Sequence, residues 1–226
     1  MAIILLLVGL AQDVAASQLI MDSENPLSIS FSDNNGNKSI NIPEKFFNET
    51  DEVYTKVHLE KIDSDDIDEV VMTLDGETNS CFKVYRYDRD SNLLVEIKFR
   101  NGDICNYRKE GNYLVSSYRA GAAWREDIYY ENGHEFQLRY EDVCIGCGEV
   151  SRIEFGLGGE ESEYLVTDRE DFKDRNLLML EVSSRKAKIY RESAVQSGSN
   201  KYLIKGDRVQ VMRFSTVGDI RWANIK

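Results

Sequence analysis

The chain has 226 residues, of which 42% are hydrophobic and 30% are charged. This balance is typical of a globular protein with a buried core, and it excludes a disordered chain. Asp and Glu outnumber Lys and Arg by 40 to 28, which gives a formal net charge of −12. A surface this acidic repels phosphate backbones and anionic lipid headgroups and attracts cationic partners. Nucleic acid is therefore not an expected ligand.

Residues 1–17 have the pattern of a secretory signal peptide. An apolar run from Ala2 to Leu10 is followed by small residues, and either Val14-Ala15-Ala16 or Ala15-Ala16-Ser17 fits a signal-peptidase site. The run is too short to cross a bilayer, so no membrane span is expected. A buried N-terminal strand is the alternative. The prediction is a periplasmic or secreted protein, with residues 18–54 as an N-terminal β segment of unknown role.

An acidic segment, LEKIDSDDIDEVVMTL, occupies residues 59–74. Oxygen-rich turns hold calcium when carboxylates recur at alternate positions around a bend. Asp63, Asp65 and Asp68 have that spacing, although the segment lacks a glycine and has Ile67 where a ligand or glycine would fall. The alternatives are therefore a calcium site formed by these three residues and a solvated acidic turn.

From Leu27 onward the pattern indicates strand after strand. Segments such as CFKVYRYD, LLVEIKF and EFQLRY are rich in β-branched and aromatic residues, and Asn-Gly or Asp-Gly turns separate such segments. Between residues 81 and 155, two-strand units recur at a spacing that suits a meander, a barrel or propeller blades. The prediction is an all-β fold, with an irregular propeller-like or barrel-like antiparallel domain at residues 55–175. One short helical piece is expected near Asp168 to Asn176.

The four cysteines are Cys81, Cys105, Cys144 and Cys147, which allow three disulfide connectivities. A zinc site usually needs two closely spaced pairs, and a redox dithiol should open a helix, whereas the residues flanking VCIGC have a strand pattern. In an exported protein, paired thiols oxidise and persist. We therefore predict a Cys144–Cys147 loop staple and a Cys81–Cys105 bridge between neighbouring strands.

The segment GNYLVSSYRAGAAWREDIYY, residues 111–130, combines aromatic and guanidinium groups at Tyr118, Arg119, Trp124 and Arg125. Trp, Tyr and Arg are the residues that most often anchor protein–protein interfaces. These four are the predicted partner-binding residues. In the alternative, Trp124 fills the core and Arg119 pairs with Glu126 or Asp127.

A polar stretch, DREDFKDRN, marks a boundary, and residues 176–226 have the rhythm of a small five-stranded barrel. KAKIY, KYLIKGDRVQVM and IRWANIK give short strands, a Lys205-Gly206-Asp207 turn and a late Trp222. This tail resembles the bacterial SH3-like domain. In other exported proteins such domains often bind cell-wall peptides or act as spacers, so peptidoglycan is a further candidate ligand.

The order IDSDDIDEV, CFKVYRYD, GDICNY, YLVSSYRAGAAWREDIYY, VCIGC and the SH3-like tail is similar to exported bacterial proteins related to lysozyme-inhibitor-like immunity proteins. The resemblance covers residues 55–226. It implies a propeller-like β domain that protects a cell's periplasm from peptidoglycan-cutting effectors. Some members of that group hold calcium in an acidic loop.

No catalytic site is predicted, because the sequence contains no nucleophile elbow and only two histidines, His58 and His134. The leading hypothesis is an immunity or inhibitor-like protein that blocks a basic cell-wall hydrolase or secreted effector and requires no cofactor. The alternatives are a cell-envelope protein that binds peptidoglycan through its tail, and a cell-wall enzyme.

Overall fold

The computed structural model describes residues 17–24, 27–44, 46 and 56–226. The predicted signal peptide falls on residues 1–16 and Ser17, so nearly all of it lies outside the described residues. Strands dominate the described residues and form several antiparallel sheets, which confirms the all-β prediction. None of the described residues forms a helix of the length and apolarity that crossing a bilayer requires.

The described residues divide into two compact units. The first contains the described residues up to Leu74 together with Phe82–Ile97, and the second contains Asp75–Cys81 and Lys98–Lys226. The domain limits predicted from the sequence, after residues 54 and 175, stay predictions.

In the first unit, strands β1, β2 and β3 form one antiparallel sheet and β4 to β7 follow each other in a second. Their bounds are β1 Gln18–Glu24, β2 Leu27–Asp33, β3 Gly36–Ser39, β4 Lys56–Glu60, β5 Glu69–Leu74, β6 Cys81–Asp88 and β7 Leu93–Ile97. Asn35-Gly36 turns β2 into β3, with Gly36 at a φ of 111°, as the sequence predicted.

The core of the first unit combines aromatic and branched side chains from both sheets. Phe31 packs on Tyr87 with ring centroids 4.8 Å apart, and Phe46 meets Tyr85 edge-on at 4.9 Å. Ile67 is one of the buried core residues, at 7% exposure. Ile67 therefore packs inside the unit, at the position where the pattern of a calcium-binding loop has a ligand or a glycine.

In the second unit, six consecutive strands form an antiparallel meander in the order β9 to β14, preceded by the short β8. Their bounds are β8 Ile104–Cys105, β9 Arg108–Glu110, β10 Tyr113–Ala120, β11 Ala123–Asn132, β12 Glu135–Ile145, β13 Glu149–Phe155 and β14 Glu161–Thr167. Of the recurring two-strand units predicted between residues 81 and 155, those from Arg108 onward correspond to this meander, whereas β6 and β7 belong to the sheet of the first unit. On one face of it, Phe172 packs against Val115 and Ile128, with Tyr113 and Tyr140 alongside.

Residues 176–226, called the C-terminal segment below, form five further strands. Strands β15, β18 and β19 make one sheet, and β16 and β17 make a separate two-stranded ribbon. Their bounds are β15 Met179–Glu181, β16 Lys186–Tyr190, β17 Gly198–Ile204, β18 Arg208–Val217 and β19 Ile220–Ile225. Neither these strands nor the other described ones close into a barrel, and the SH3-like assignment stays a prediction.

Both predicted disulfides are present. Cys81 is bonded to Cys105 and Cys144 to Cys147, and no cysteine is free. Asp168 fixes the small loop of the second bridge, because its carboxylate accepts the backbone N–H groups of Gly146 at 3.1 Å and Gly148 at 2.8 Å. VCIGC is therefore a structural staple.

Candidate functional site

The structure brings together the four predicted partner-binding residues at one end of the β10–β11 hairpin. Tyr118 lies opposite Arg125 in the register, and Arg119 lies opposite Trp124. Gly121 makes the turn with a φ of 62°, a conformation that glycine adopts without strain. Because neighbouring residues of a strand point to opposite faces, the two pairs lie on opposite faces of the sheet.

On the first face, Tyr118 and Arg125 border a pair of carboxyl groups. Asn101 Nδ2 donates to Asp127 Oδ2 at 3.0 Å and to Glu141 Oε1 at 2.8 Å, and the Tyr118 hydroxyl donates to Asp127 Oδ1 at 3.4 Å. Burial raises the pKa of Asp127 to about 6, although the amide of Asn101 opposes the rise. Burial and the adjacent Asp127 raise the pKa of Tyr118 to about 12.

On the second face, Trp124 is 40% exposed, so it does not fill the core. Arg119 is bonded neither to Glu126 nor to Asp127. Its Nε donates to the carbonyl of Gly121 at 3.2 Å. Trp124 also lies opposite Ile145 on strand β12, and Ile145 lines a pocket on this face. The exposed tryptophan therefore stands beside that pocket.

The pocket, called the acidic pocket below, has a volume of about 810 Å³. Five carboxylates, two guanidinium groups and one apolar side chain line it, so its formal charge is negative. The lining residues are Arg108, Glu110, Glu126, Ile145, Arg169, Glu170, Asp171 and Asp174.

Beneath the acidic pocket, charged side chains form a buried network. Asp142 is fully buried and accepts Arg152 Nε at 2.7 Å and Arg152 Nη2 at 2.6 Å. Arg175 Nη1 lies 2.6 Å from Asp142 Oδ2 and 2.7 Å from Glu126 Oε2. Arg108 Nη1 donates to Glu126 Oε1 at 2.9 Å. Buried carboxylates and guanidinium groups are tolerated only when they are paired in this way.

The outer wall of the acidic pocket is the loop that follows β14. A short helical piece was predicted near Asp168 to Asn176. The structure has a single 3-10 turn there, Phe172–Asp174. Phe172 anchors the loop in the core, while Arg175 Nε donates to the carbonyl of Arg169 at 2.7 Å and Nη2 to that of Glu170 at 3.0 Å. The same arginine that completes the buried network therefore fixes the pocket wall.

The excess of carboxylates in the acidic pocket favours a cationic ligand or side chain. Glu110 and Glu126 are held by ion pairs at its base, whereas the side chains of Glu170 and Asp174 lie exposed on its wall. Carboxylates beside an exposed tryptophan provide both charge complementarity and a ring face for a guanidinium or ammonium group. No histidine, cysteine or hydroxyl side chain is among its lining residues.

Two of the three predicted calcium ligands, Asp63 and Asp65, are engaged with protein groups. Asp63 is fully buried, and its Oδ2 accepts Arg86 Nε at 3.0 Å and Arg86 Nη2 at 2.6 Å. Its Oδ1 accepts the N–H of Asp65 at 2.9 Å, Asp65 Oδ1 accepts that of Ile67 at 2.7 Å, and Asp68 is exposed. A guanidinium group therefore pairs with one carboxylate oxygen of Asp63, and calcium stays a prediction.

A neighbouring carboxyl, Glu69, was missed from the sequence. It is 1% exposed, and its Oε2 accepts the N–H groups of Ile62 at 2.8 Å and Asp63 at 3.4 Å. Burial raises the pKa of Glu69 to about 7. The sequence did contain a signal that Glu69 is buried. It directly follows Asp68 and begins a strand whose other five residues are apolar or β-branched. In this segment the glutamate organises the loop from inside.

The sequence also failed to indicate Asp142, Arg152 and Arg175, because charged residues resemble a solvated surface whether they lie in a strand or in a polar stretch. Alternation along β12 and β13 places Asp142 and Arg152 on the same face, since they are direct cross-strand partners. Only the fold shows that Arg175 reaches them.

Comparisons with known proteins give little further information. No protein-family model matches the chain, and no curated protein matches it. A solved structure of a type IV secretion system related protein from Xanthomonas is similar at 14% sequence identity and a TM-score of 0.35, over 73% of this chain and 82% of that chain. A likeness of this size carries no argument about function.

Proposed function

We propose that this chain is an exported, non-catalytic protein that binds and blocks a basic cell-wall hydrolase or secreted effector. The observation that carries the proposal is the acidic pocket with an exposed Trp124 beside it. A cationic side chain of the partner enters the pocket, and the tryptophan covers its stem. The partner's active-site cleft is then blocked sterically.

Regional charge supports this proposal. Residues 176–226 contain ten Lys and Arg and four Asp and Glu, a net charge of +6. Because the whole chain has a net charge of −12, residues 1–175 carry −18. A field of that sign accelerates the approach of a basic protein. Enzymes that cut an anionic cell-wall polymer benefit from a basic surface for the same electrostatic reason.

The character of the contact residues also fits a binding role. Tryptophan and arginine are over-represented among the few residues that dominate the energy of an interface. Trp124 and Arg119 are cross-strand neighbours on the face of the pocket, and both are exposed. They therefore provide a compact anchor next to a charged recess.

The two disulfides fit an exported protein, because such bonds persist outside the reducing cytosol. An oxidising compartment is also where an inhibitor of a cell-wall hydrolase would meet its target.

A second candidate function, cell-wall hydrolysis, is favoured by the Asp127 and Glu141 pair. Two carboxyl groups joined through one amide, with the pKa of one raised, have the arrangement that separates an acid from a base. If this function is correct, the purified chain digests peptidoglycan, and both Asp127→Asn and Glu141→Gln abolish digestion.

A pull-down tests the leading proposal. The chain from Ser17 onward, which retains every described residue, serves as bait in extracts containing secreted effectors and cell-wall hydrolases, at low and high salt. We expect a basic hydrolase to bind at low salt and to lose its wall-cutting activity in the complex. Trp124→Ala should weaken binding by about 30-fold, as expected for an interface anchor.

Two further variants separate charge from packing. Glu170→Gln with Asp174→Asn should mainly slow association, whereas the matched pair Glu135→Gln with Asp66→Asn, which neutralises exposed carboxylates elsewhere, should leave it unchanged. The proposal fails if no hydrolase binds, if the bound hydrolase keeps its activity, or if both pairs of variants behave alike.

A further inference from the structure

The net charge of the whole chain hides an inversion of sign near its C-terminus. The C-terminal segment carries a net +6, whereas residues 1–175 carry −18. A basic tail on an acidic protein points to a partner opposite in sign to the one proposed for the acidic pocket. Because the Debye length is about 8 Å at physiological salt, local charge governs what such a surface binds.

The same segment also exposes most of the large apolar side chains found at the surface. Of the twelve such residues that are exposed among the described ones, eight lie in the C-terminal segment. These eight are Leu177, Met179, Leu180, Val195, Tyr202, Ile204, Val217 and Ile220. Exposed apolar groups mark an interaction site where they lie next to one another, so the pairing within each sheet decides which of these residues share a face.

Charge and apolar surface meet on the two-stranded ribbon. Lys186 lies opposite Ile204 and Lys188 lies opposite Tyr202, so these four side chains share one face. All four are exposed, whereas Ala187 on the other face is partly buried. We call this set of four the basic ribbon face. Lys186 Nζ lies 3.9 Å from the centroid of the Tyr202 ring.

We propose that the basic ribbon face docks this protein on an anionic lipid surface, without crossing it. Lysine side chains extend their charged ends to lipid phosphates while their methylene stems cover apolar neighbours. Tyrosine is enriched at the level of lipid headgroups, where its ring is buried and its hydroxyl stays wet. The inference does not depend on the function proposed for the acidic pocket.

The exposed apolar side chains favour lipid over a hydrated polyanion. Ile204 is 52% exposed and Tyr202 is 51% exposed. Burying such surface contributes roughly 25 cal/mol per Å². A bilayer interface offers that burial together with phosphate groups, whereas a duplex nucleic acid or a cell-wall glycan offers an aliphatic side chain such as Ile204 mainly charged and polar contacts.

Vesicle co-sedimentation tests the proposal with the chain from Ser17 onward, which lacks the apolar run at residues 2–10. Vesicles of phosphatidylglycerol mixed with phosphatidylcholine are compared with vesicles of phosphatidylcholine alone. We expect binding to the mixed vesicles only, weakening as salt is added. Each of Lys186→Ala and Lys188→Ala should weaken binding about fivefold, and the double variant about 30-fold.

A matched pair, Lys38→Ala and Lys61→Ala, removes exposed lysines from the first unit and should leave vesicle binding unchanged. Tyr202→Ala should weaken binding by a factor that salt does not alter. The proposal is overturned if mixed vesicles do not bind at low salt, or if the control pair weakens binding equally. It is also overturned if sacculi or nucleic acid bind and vesicles do not. Capture of a hydrolase by the acidic pocket is measured without lipid, so the two proposals fail independently.

Discussion

The six-stranded meander and the C-terminal segment are built from the same kind of strand, yet they distribute charge and apolar surface in opposite ways. The meander and the loop after it bury Glu126, Asp127, Asp142, Arg152 and Arg175, and each of these has a charged or amide partner. The C-terminal segment buries only Val211 among its large side chains and exposes eight others. Alternation in a sequence therefore predicts strands, but it does not predict which face meets water.

The buried network gives the strongest test of this contrast. Asp142→Ala removes the partner that Arg152 and Arg175 share and leaves both guanidinium groups poorly paired in the interior. We expect the free energy of unfolding to fall by about 3–5 kcal/mol, measured by urea denaturation. Glu135→Ala, on the same strand but exposed, should change it by less than about 0.5 kcal/mol. Equal effects would show that the network is not a buried one.

The two regions also differ in their disulfide bonds, because the C-terminal segment contains no cysteine. Replacing Cys81 and Cys105 by serine opens a loop of 24 positions, whereas replacing Cys144 and Cys147 opens one of 3. Chain-entropy arguments give losses of about 3.5 and about 2 kcal/mol in the free energy of unfolding. Denaturation of the two double variants under oxidising conditions checks the order, and a reversed order would contradict the entropic account.

A pH series examines the buried carboxyl group on the other face of the meander. The folded-state pKa of Asp127 is about 6, above its unfolded value, so its carboxyl group favours the folded state at low pH. That contribution is lost as the pH rises from about 4 through 6, on the order of 2 kcal/mol. Asp127→Asn should flatten the dependence of stability on pH in this window. If the variant keeps the wild-type slope, Asp127 is not the titrating group.

The smallest effect is expected in the C-terminal segment. Ile204→Ser replaces an exposed apolar side chain and should change the free energy of unfolding by less than about 0.5 kcal/mol. Val211→Ala, in the same segment but fully buried, should cost about 2 kcal/mol. Thermal unfolding of both variants measures the difference, and a large loss for Ile204→Ser would show that this residue is covered in solution.

Much of the fold followed from local patterns. The strand of CFKVYRYD, the Asn35-Gly36 turn and both disulfides are where the sequence placed them, because alternation, turn chemistry and cysteine spacing act over short distances. The Gly121-Ala122-Ala123 bend is a local signal of the same kind for the hairpin that pairs Tyr118 with Arg125 and Arg119 with Trp124.

The candidate site was only half predictable. Trp124 stood out as a residue type, but the acidic pocket beside it depends on a loop that returns to the sheet more than 40 positions later along the chain. Arg175 and Asp142 are separated by 33 positions, and no local rule links them. The helical piece predicted near Asp168 is a single turn, and the carbonyls of Arg169 and Glu170 accept hydrogen bonds from the Arg175 side chain.

Arg175 also fixes the wall of the acidic pocket. By holding the carbonyls of Arg169 and Glu170 while bound to the sheet, it sets the shape of the pocket wall before any partner arrives. Backbone freedom in that wall is given up during folding, so little remains to be lost on association. If a partner binds this surface as proposed, the pre-set wall would select it by shape, because a partner of another shape could not be accommodated by movement of the wall.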